Sequence, residues 1–416
     1  MESDVIVGID IGDHKVCALV GEGTPEGNVN IIGVGVAPTN GMKRGMVVSV
    51  DDVAASVSAA VEKAERVSGY QIRRAQVSIT GNHIVSVNSR GVVAVVRSNH
   101  EITDDDVERA MESARAIPNP SNREVIHVIP RFFVIDGQEG VPNPVGMFGF
   151  RLEGEAHIVT AATTWLQNVQ RCLTAANIEA RAMVAAPLAA AEAVITPQEK
   201  DMGVVVADIG GGTTGICIYV DGSPWHTTVL PVGGMHVTND LAVGLRLPFA
   251  AAEELKIRYG HALATSVDSK EMIPVPGAVR DDRPVSRRRE CEIIEDRVTE
   301  IYAMILNEIK KSGHEESLLP GGVVLTGGAA ELPGMVELGQ DILGLPVRVG
   351  VPQRIGGLVD SISSPTYAAS VGLLHWGLKY RDEGSEEGGP HIFDEGIGDM
   401  ARKFSDFLRR AFGFGR

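Results

Sequence analysis

Apolar positions along the chain fall twice into the same short form. Val5 to Val20 reads VIVGIDIGDHKVCALV, an apolar run that passes through Asp10-Ile11-Gly12 into a second apolar run. Val204 to Tyr219 reads VVVADIGGGTTGICIY, with Asp208 at the end of the first run and Gly210, Gly211 and Gly212 in the turn. β-Branched runs of this length predict buried strands, so each unit predicts strand–turn–strand. Around the first unit, Val29 to Val36 predicts a third strand and Gln76 to Thr80 a fourth. Between them Ser49 to Gly69 predicts a helix. Ser49 and Asp52 fit a capping pattern, Val53, Val57, Ala60, Val61 and Ala64 form the apolar stripe, and Gly69 stops it. The resulting order, β-β-β-α-β, is that of a nucleotide-binding subdomain.

Residues 82–161 change character. Four strand-like runs (Ile84 to Val87, Val92 to Val96, Val125 to Ile129, Phe132 to Ile135) surround one helix, Asp104 to Ala116, capped by Thr103. They predict a small α/β subdomain inserted in the first lobe, or simply more of that lobe. Leu166 to Asn177 and Pro187 to Ile195 predict helices that lead to the second unit. Beyond it, helices are predicted over Ala250 to Tyr259, Ile293 to Lys311 and Ser363 to Tyr380. Val323 to Gly334, VVLTGGAAELPG, predicts a short strand that turns through Gly327-Gly328-Ala329 into a helix-like segment.

The end of the chain stands apart. Arg381 to Gly396 is rich in glycine and acid, as linkers are. In Ile397 to Arg416 the residues Ile397, Met400, Phe404, Phe407, Leu408, Ala411 and Phe412 fall in an arc of roughly 140° on a helical wheel. Arg402, Lys403, Asp406, Arg409 and Arg410 occupy the rest. Five Lys/Arg against two Asp give this segment a side-chain charge of +3. Phenylalanines opposite basic residues fit a helix lying in the interface of an anionic membrane. Each buried Phe or Leu adds about 1.5–3 kcal/mol and each basic residue about 1. A helix docked on a partner or on its own body fits the same arc.

The chain has 416 residues, more than one typical core holds, and two or more lobes are expected. Its net charge is −16, which argues against broad nucleic-acid binding by the globular body. Cys17, Cys172, Cys217 and Cys291 lie far apart, a pattern of neither zinc site nor disulfide framework. The chain enters a strand within a few residues, without a signal-peptide pattern, and no apolar run approaches the ~20 residues of a membrane span. A cytoplasmic body is therefore expected. There is no P-loop lysine motif, no G-x-S-x-G and no H-E-x-x-H.

The two D-x-G turns carry the candidate chemistry. A glycine turn lets backbone N–H groups approach an anion closely, and a carboxylate at a strand end can hold hydrated Mg²⁺. A tight Gly-rich hairpin with a capping aspartate has the same sequence. Two copies favour the first reading, with two turns facing one cleft. Glu253 and Lys256 lie one helical turn apart, which suits either a solvated ion pair or contacts to a ribose and a base. Arg287-Arg288-Arg289 suits a solvated face or a landing site for an acidic peptide.

Together, the paired D-x-G loops, the T-G-G-A turn and the E-x-x-K helix resemble the actin, heat-shock chaperone and sugar kinase superfamily of ATP-binding proteins. More closely, GIDIG with Lys15, NIIGVG, GNHIVSVNSRG, HVIPRFFVIDGQEG, NPVGM, ADIGGGTT, AAEELKIRYG, VVLTGGAAELPG, SVGLLH and the amphipathic tail resemble the FtsA family of bacterial cell-division proteins over nearly the whole chain. The PilM pilus proteins share the insertion but usually lack the terminal anchor, and a PilM-like ATP-binding protein of pilus assembly is the alternative, beside a small-molecule kinase of the same superfamily.

The resemblance implies an actin-like, two-lobed α/β fold with duplicated ribonuclease H-like subdomains, an inserted small α/β subdomain and a C-terminal amphipathic helix. It implies a first-lobe core over 1–81 and 162–197, with the insertion over 82–161. A second-lobe core over 198–247 and 307–362 would enclose a smaller subdomain, 248–306. A helix over 363–380 would return to the first lobe, followed by the linker 381–396 and the membrane helix 397–416. Asp10 and Asp208 would flank Mg²⁺, and Gly12, Lys15, Gly210, Gly211, Gly212 and Thr213 would hold the phosphates of ATP. Glu253, Lys256, Gly327, Gly328 and Ala329 would hold the nucleoside. The implied partners are the C-terminal peptide of FtsZ, other copies of the chain in a filament, anionic lipid and further division proteins. Arg287, Arg297 and Glu300 are the residues implied for the FtsZ peptide.

Two departures stand out. The family's first loop usually continues with hydroxyl residues, where this chain has Asp13 and His14. A carboxylate there would repel phosphates unless offset. Ala186 stands before Pro187 where many relatives carry a water-orienting glutamate. Without a positioned base, water attack loses roughly 10²–10⁴-fold, so hydrolysis is expected to be slow. A phosphotransferase of the sugar-kinase type would need an aspartate base in the cleft and has no use for the tail.

Overall fold

A computed structural model describes residues 5–118, 120–275, 284–313 and 319–380. The linker 381–396 and the amphipathic segment, with Ile397, Met400, Arg402, Lys403, Phe404, Phe407, Leu408, Arg409, Arg410 and Phe412, lie outside the described residues.

The repeated apolar units build two sheets of matching strand order. In the first, Val5–Ile11 pairs antiparallel with Lys15–Gly23 and parallel with Arg74–Ile79. Val29–Pro38 continues the sheet on one side, and Glu179–Ala185 on the other. In the second sheet the order is Ser223–Leu230, Thr214–Val220, Val204–Ile209, Val323–Thr326, Val347–Val349. The central hairpins, first (5–23) and second (204–220), occupy equivalent places, as a duplicated unit requires.

Two helices fill the space between the sheets. Every residue of Ala186–Val194 is buried, and the closing helix Ala368–Lys379 is buried from Ala368 to Gly377. Apolar residues from both sheets, among them Leu19, Val77, Val206 and Tyr219, share one core with these helices. A second core lies on the far side of the second sheet, under Arg287–Lys311. On the far side of the first sheet lies Val50–Ser68, capped by the Ser49 hydroxyl and stopped at Gly69 in the left-handed region. Small residues let the two central helices touch. A Cβ at Gly372 would lie 1.7 Å from the Ala189 carbonyl oxygen.

The insertion is a four-stranded antiparallel sheet with Asp104–Arg115 packed on one face through Val107, Ala110, Met111 and Ala114. Its four expected runs are two long strands, Val85–Ala94 and Arg123–Ile135. Polar residues at Asn88 and Arg90 read as a break, but each has a partner. Asn88 meets His157 and the Trp225 carbonyl, and Arg90 meets Glu155 at 2.7 Å. Pro130 sits beside a register shift, where a missing N–H is tolerated. The insertion also bridges the lobes. The Ala185 N–H donates to His127 Nε2 in the first, and His157 Nε2 lies 2.9 Å from the Thr227 hydroxyl in the second.

Several boundaries differ from the sequence reading; the closing helix, for one, begins at Ala368 rather than Ser363. The long helix begins at Arg287 rather than Ile293, because Ser286 caps it and Glu292 pairs with Arg288 and Arg289. Basic residues oppose the dipole at a helix start, so the run hides this helix from sequence rules. The chain rejoins the first sheet at Ile355–Gly357, ahead of residue 363. Three residues carry no readable period.

Ala favours a helix interior over Gly by up to ~1 kcal/mol, whereas overpacking against backbone costs about 1–3. Gly372→Ala is therefore expected to lower the melting temperature by a few degrees; a rise in thermal denaturation would contradict the close helix contact.

Candidate functional site

Both hairpins close with the same turn. The Gly12 N–H donates to the Lys15 carbonyl at 3.0 Å, and the Gly210 N–H to the Thr213 carbonyl at 2.9 Å. The aspartates hold matching positions, Asp10 opposite Cys17 and Asp208 opposite Gly215. The turns open on one cleft of about 390 Å³ between the lobes. From the first hairpin Asp10, Gly12 and Lys15 line it, and from the second Asp208, Gly210, Gly211 and Thr213. Glu253, Lys256, Gly327, Gly328 and Ala329 complete the wall. Thr80 and Thr213 approach across the cleft, hydroxyl to hydroxyl at 3.3 Å.

Gly212 faces elsewhere. A Cβ there would lie 2.5 Å from an Asp13 carboxylate oxygen, so the first turn fills the space that the second leaves. Asp13 accepts from the Gly45 N–H at 3.0 Å on both oxygens. The repulsion expected of an extra carboxylate is thus met by a backbone donor. Burial pushes this carboxyl above its usual range, with the Gly45 N–H opposing.

The two metal-candidate carboxylates differ. Asp10 accepts from the Ser78 hydroxyl at 2.6 Å and the Ser370 hydroxyl at 3.2 Å. Asp208 is pushed up to about 7 by burial and by the charge of Asp10. Lys15 extends between the lobes. Its Nζ is buried and has no hydrogen-bond partner among the described residues. Burial lowers its pKa.

The Glu253–Lys256 pair is set into the cleft, not on a solvated face. Lys256 Nζ donates to Glu253 at 2.7 Å, to the Thr238 hydroxyl at 2.9 Å and to the Gly234 carbonyl at 3.3 Å. Gly327 takes φ +82°, and a Cβ there would lie 2.4 Å from Asp208 Oδ1. Only glycine permits both the conformation and the approach.

Sequence reasoning missed Gly233-Gly234-Met235, where the N–H groups of Gly234 and Met235 tie a helix start to the second turn. Gly234 N donates to Gly210 O at 2.9 Å and Met235 N to Gly211 O at 2.7 Å. A Gly-Gly pair directly after an apolar strand was the available signal. Tyr367 was also missed, since an aromatic at a helix start reads as core.

The partner candidates sit on or beside the long helix. Arg287 donates to the Tyr259 carbonyl and to Glu271, each at 2.9 Å. Arg297 pairs with Asp240 at 2.5 Å and also with Glu300. Glu300 keeps half its side chain exposed. All three are thus engaged within the chain.

Donors and acceptors in the cleft suit a metal polyphosphate. A buried ammonium without a hydrogen-bond acceptor among the described residues can meet an anion, two strand-end carboxylates can meet a hydrated cation, and the glycine wall leaves room for both.

Residues 205–372 match the family model described as Cell division protein FtsA, and residues 81–160 match that of the SHS2 domain inserted in FTSA. The cell division protein FtsA of Pseudomonas aeruginosa is 42% identical over 395 residues, covering 94% of each chain. The chain belongs to the FtsA family of cell-division proteins. The Escherichia coli FtsA is 36% identical over 416 residues, covering 98% of each chain. Among solved structures, a chain of the PilM-PilN type IV pilus biogenesis complex superposes with a TM-score of 0.65 at 18% identity, covering 90% of this chain and 98% of that one. MreB5 of Spiroplasma citri bound to ADP superposes with a TM-score of 0.53 at 12% identity, covering 89% and 95%. These structures share the actin-like fold, and the FtsA relatives carry the cell-division assignment over the pilus alternative.

Asp208 leaves a signature in the ligand-free protein. Its ordinary value is 3.8 and its folded value about 7, so the folded state binds the extra proton between them. Its contribution to stability is full below the ordinary value and is lost as pH rises through about 7. Asp208→Asn removes that loss. Its melting temperature should exceed wild type at pH 8, with a smaller difference at pH 5; equal differences at the two pH values would contradict it.

Proposed function

We propose that this FtsA-family chain binds ATP with Mg²⁺ between its mirrored hairpins and uses that state to control filament assembly. Its filaments tether the FtsZ ring to the cytoplasmic face of the membrane at the division site and recruit later division proteins. The observation that carries the reading is the pair of equivalent turns, Gly12 to Lys15 and Gly210 to Thr213, facing one cleft with an aspartate beside each.

Asp10 and Asp208 hold the hydrated cation, which supplies positive charge to the phosphates when bound. Lys15 meets phosphate oxygens with a charge-assisted hydrogen bond, and the turns that carry Gly12, Gly210, Gly211 and Thr213 line the anion's path. Gly212 supports them from behind through its contact with Asp13. Glu253 and Lys256 meet the ribose and base, with Gly327, Gly328 and Ala329 beneath. Ala186 lines the cleft without a titratable group, so no base at that position orients an attacking water and hydrolysis is slow.

The FtsZ peptide docks near residues 248–306, with Arg287, Arg297 and Glu300 exchanging internal pairs for contacts to it. The tail inserts Ile397, Met400, Phe404, Phe407, Leu408 and Phe412 into anionic lipid, with Arg402, Lys403, Arg409 and Arg410 at the headgroups. No helix among the described residues is long and apolar enough to cross a membrane.

Fluorescent ATP should bind the full chain only with Mg²⁺. Lys15→Ala should weaken it by roughly 10–100-fold, the worth of a hydrogen bond to a charged group; unchanged affinity would remove the phosphate role. In flotation with anionic liposomes the full chain should rise and a chain ending at Tyr380 should not. Equal flotation would remove the membrane role of the tail. A screen of sugars and acetate should release no ADP, and release would favour a kinase.

A further inference from the structure

The closing helix begins inside the cleft, and its first residues touch Asp10 and Lys15 of the first hairpin. Ser370 donates to Asp10 at 3.2 Å. Tyr367, at the helix start, lies under Lys15, whose Nζ is 3.4 Å from the ring centroid. That ring is the nearest partner the ammonium has, since no hydrogen-bond acceptor among the described residues reaches it. Two of the surrounding carboxylates are engaged by hydroxyl groups. Asp10 accepts from Ser78 and Ser370, and Glu331 accepts from the Ser364 hydroxyl at 2.6 Å. The ring is held from both lobes. Its segment, Pro365–Tyr367, accepts at the Pro365 carbonyl from Gly327 N at 3.1 Å and from the Thr326 hydroxyl at 3.2 Å. The helix it opens packs in the core shared with the first sheet.

We propose that Tyr367 is a positioning residue for Lys15, its ring holding the ammonium ready to donate to an incoming polyphosphate. An aromatic face attracts a cation through its quadrupole and uses none of its N–H donors. A lysine stem is long and flexible. Without the ring the ammonium swings to Asp10 or Asp208, and a lysine paired there must be released before it can meet phosphate. Apparent affinity then falls by the fraction of molecules left competent. The inference rests on the polyphosphate reading of the cleft and adds the residue that keeps its lysine open.

Titration calorimetry of the full chain with MgATP, and separately with inorganic triphosphate, tests it. Tyr367→Met fills the space without a π face and should raise both dissociation constants about tenfold. Its ligand-free melting temperature should match or exceed that of wild type, because the released lysine gains a carboxylate. Tyr367→Phe keeps the ring and should bind as wild type does. Should the Met variant fail to fold, Tyr367→Leu carries the same expectation. Wild-type affinity in the ring-less variant would overturn the inference, as would equal weakening in the Phe variant, which would assign the effect to the hydroxyl. A wild-type chain that binds neither probe would instead remove the polyphosphate reading, and the inference with it.

Discussion

Two carboxylates held near one another are the constraint on which the cleft depends. Like charges in a partly buried site raise each other's proton affinity, and burial adds to the effect. The protein meets this differently at each strand end. Asp10 is held by two serine hydroxyls, while Asp208 is carried toward neutrality at about 7 by its burial and by Asp10. Lys15 is near enough to ease the charge, yet it makes no hydrogen bond to either. Such a site gains from a divalent cation and its anion. The shared core of Ala186–Val194 and Ala368–Lys379 fixes the separation, since each sheet packs on the same two helices.

Duplication explains the symmetry of the cleft and also where that symmetry breaks. The turns share their closing hydrogen bond but not their side chains. The first carries Asp13 and His14 where the second carries Gly211 and Gly212. The Asp13 carboxylate occupies the space a side chain at Gly212 would need. The turns are therefore complementary, one supplying bulk where the other omits it. The insertion adds a second tie between lobes, through His127 on one side and His157 on the other. Burial holds both imidazoles down to about 3, so they stay neutral at any physiological pH and the tie does not titrate.

Much of this was legible from residue order. The hairpins, the capped helix ending at Gly69 and the glycine turn after Val323–Thr326 followed from period, capping and composition. Those signals are local, and local signals survive in a single sequence. Long strands with polar centres did not follow, because Asn88 and Arg90 find their partners far along the chain. The start of the long helix did not, because Ser286 caps a run whose charges oppose the dipole. Twelve of the thirteen residues assigned to metal and nucleotide line the cleft; Gly212 turns away because Asp13 faces it. Tyr367 carried no signal, since its contact with Lys15 joins residues at opposite ends of the chain.

A crystal of the full chain grown with MgATP tests the central claim most directly. The account predicts the triphosphate between the two turns, with the cation beside Asp10 and Asp208 and the Lys15 ammonium on a phosphate oxygen. A nucleotide bound outside the cleft, or a cation away from both aspartates, would contradict it.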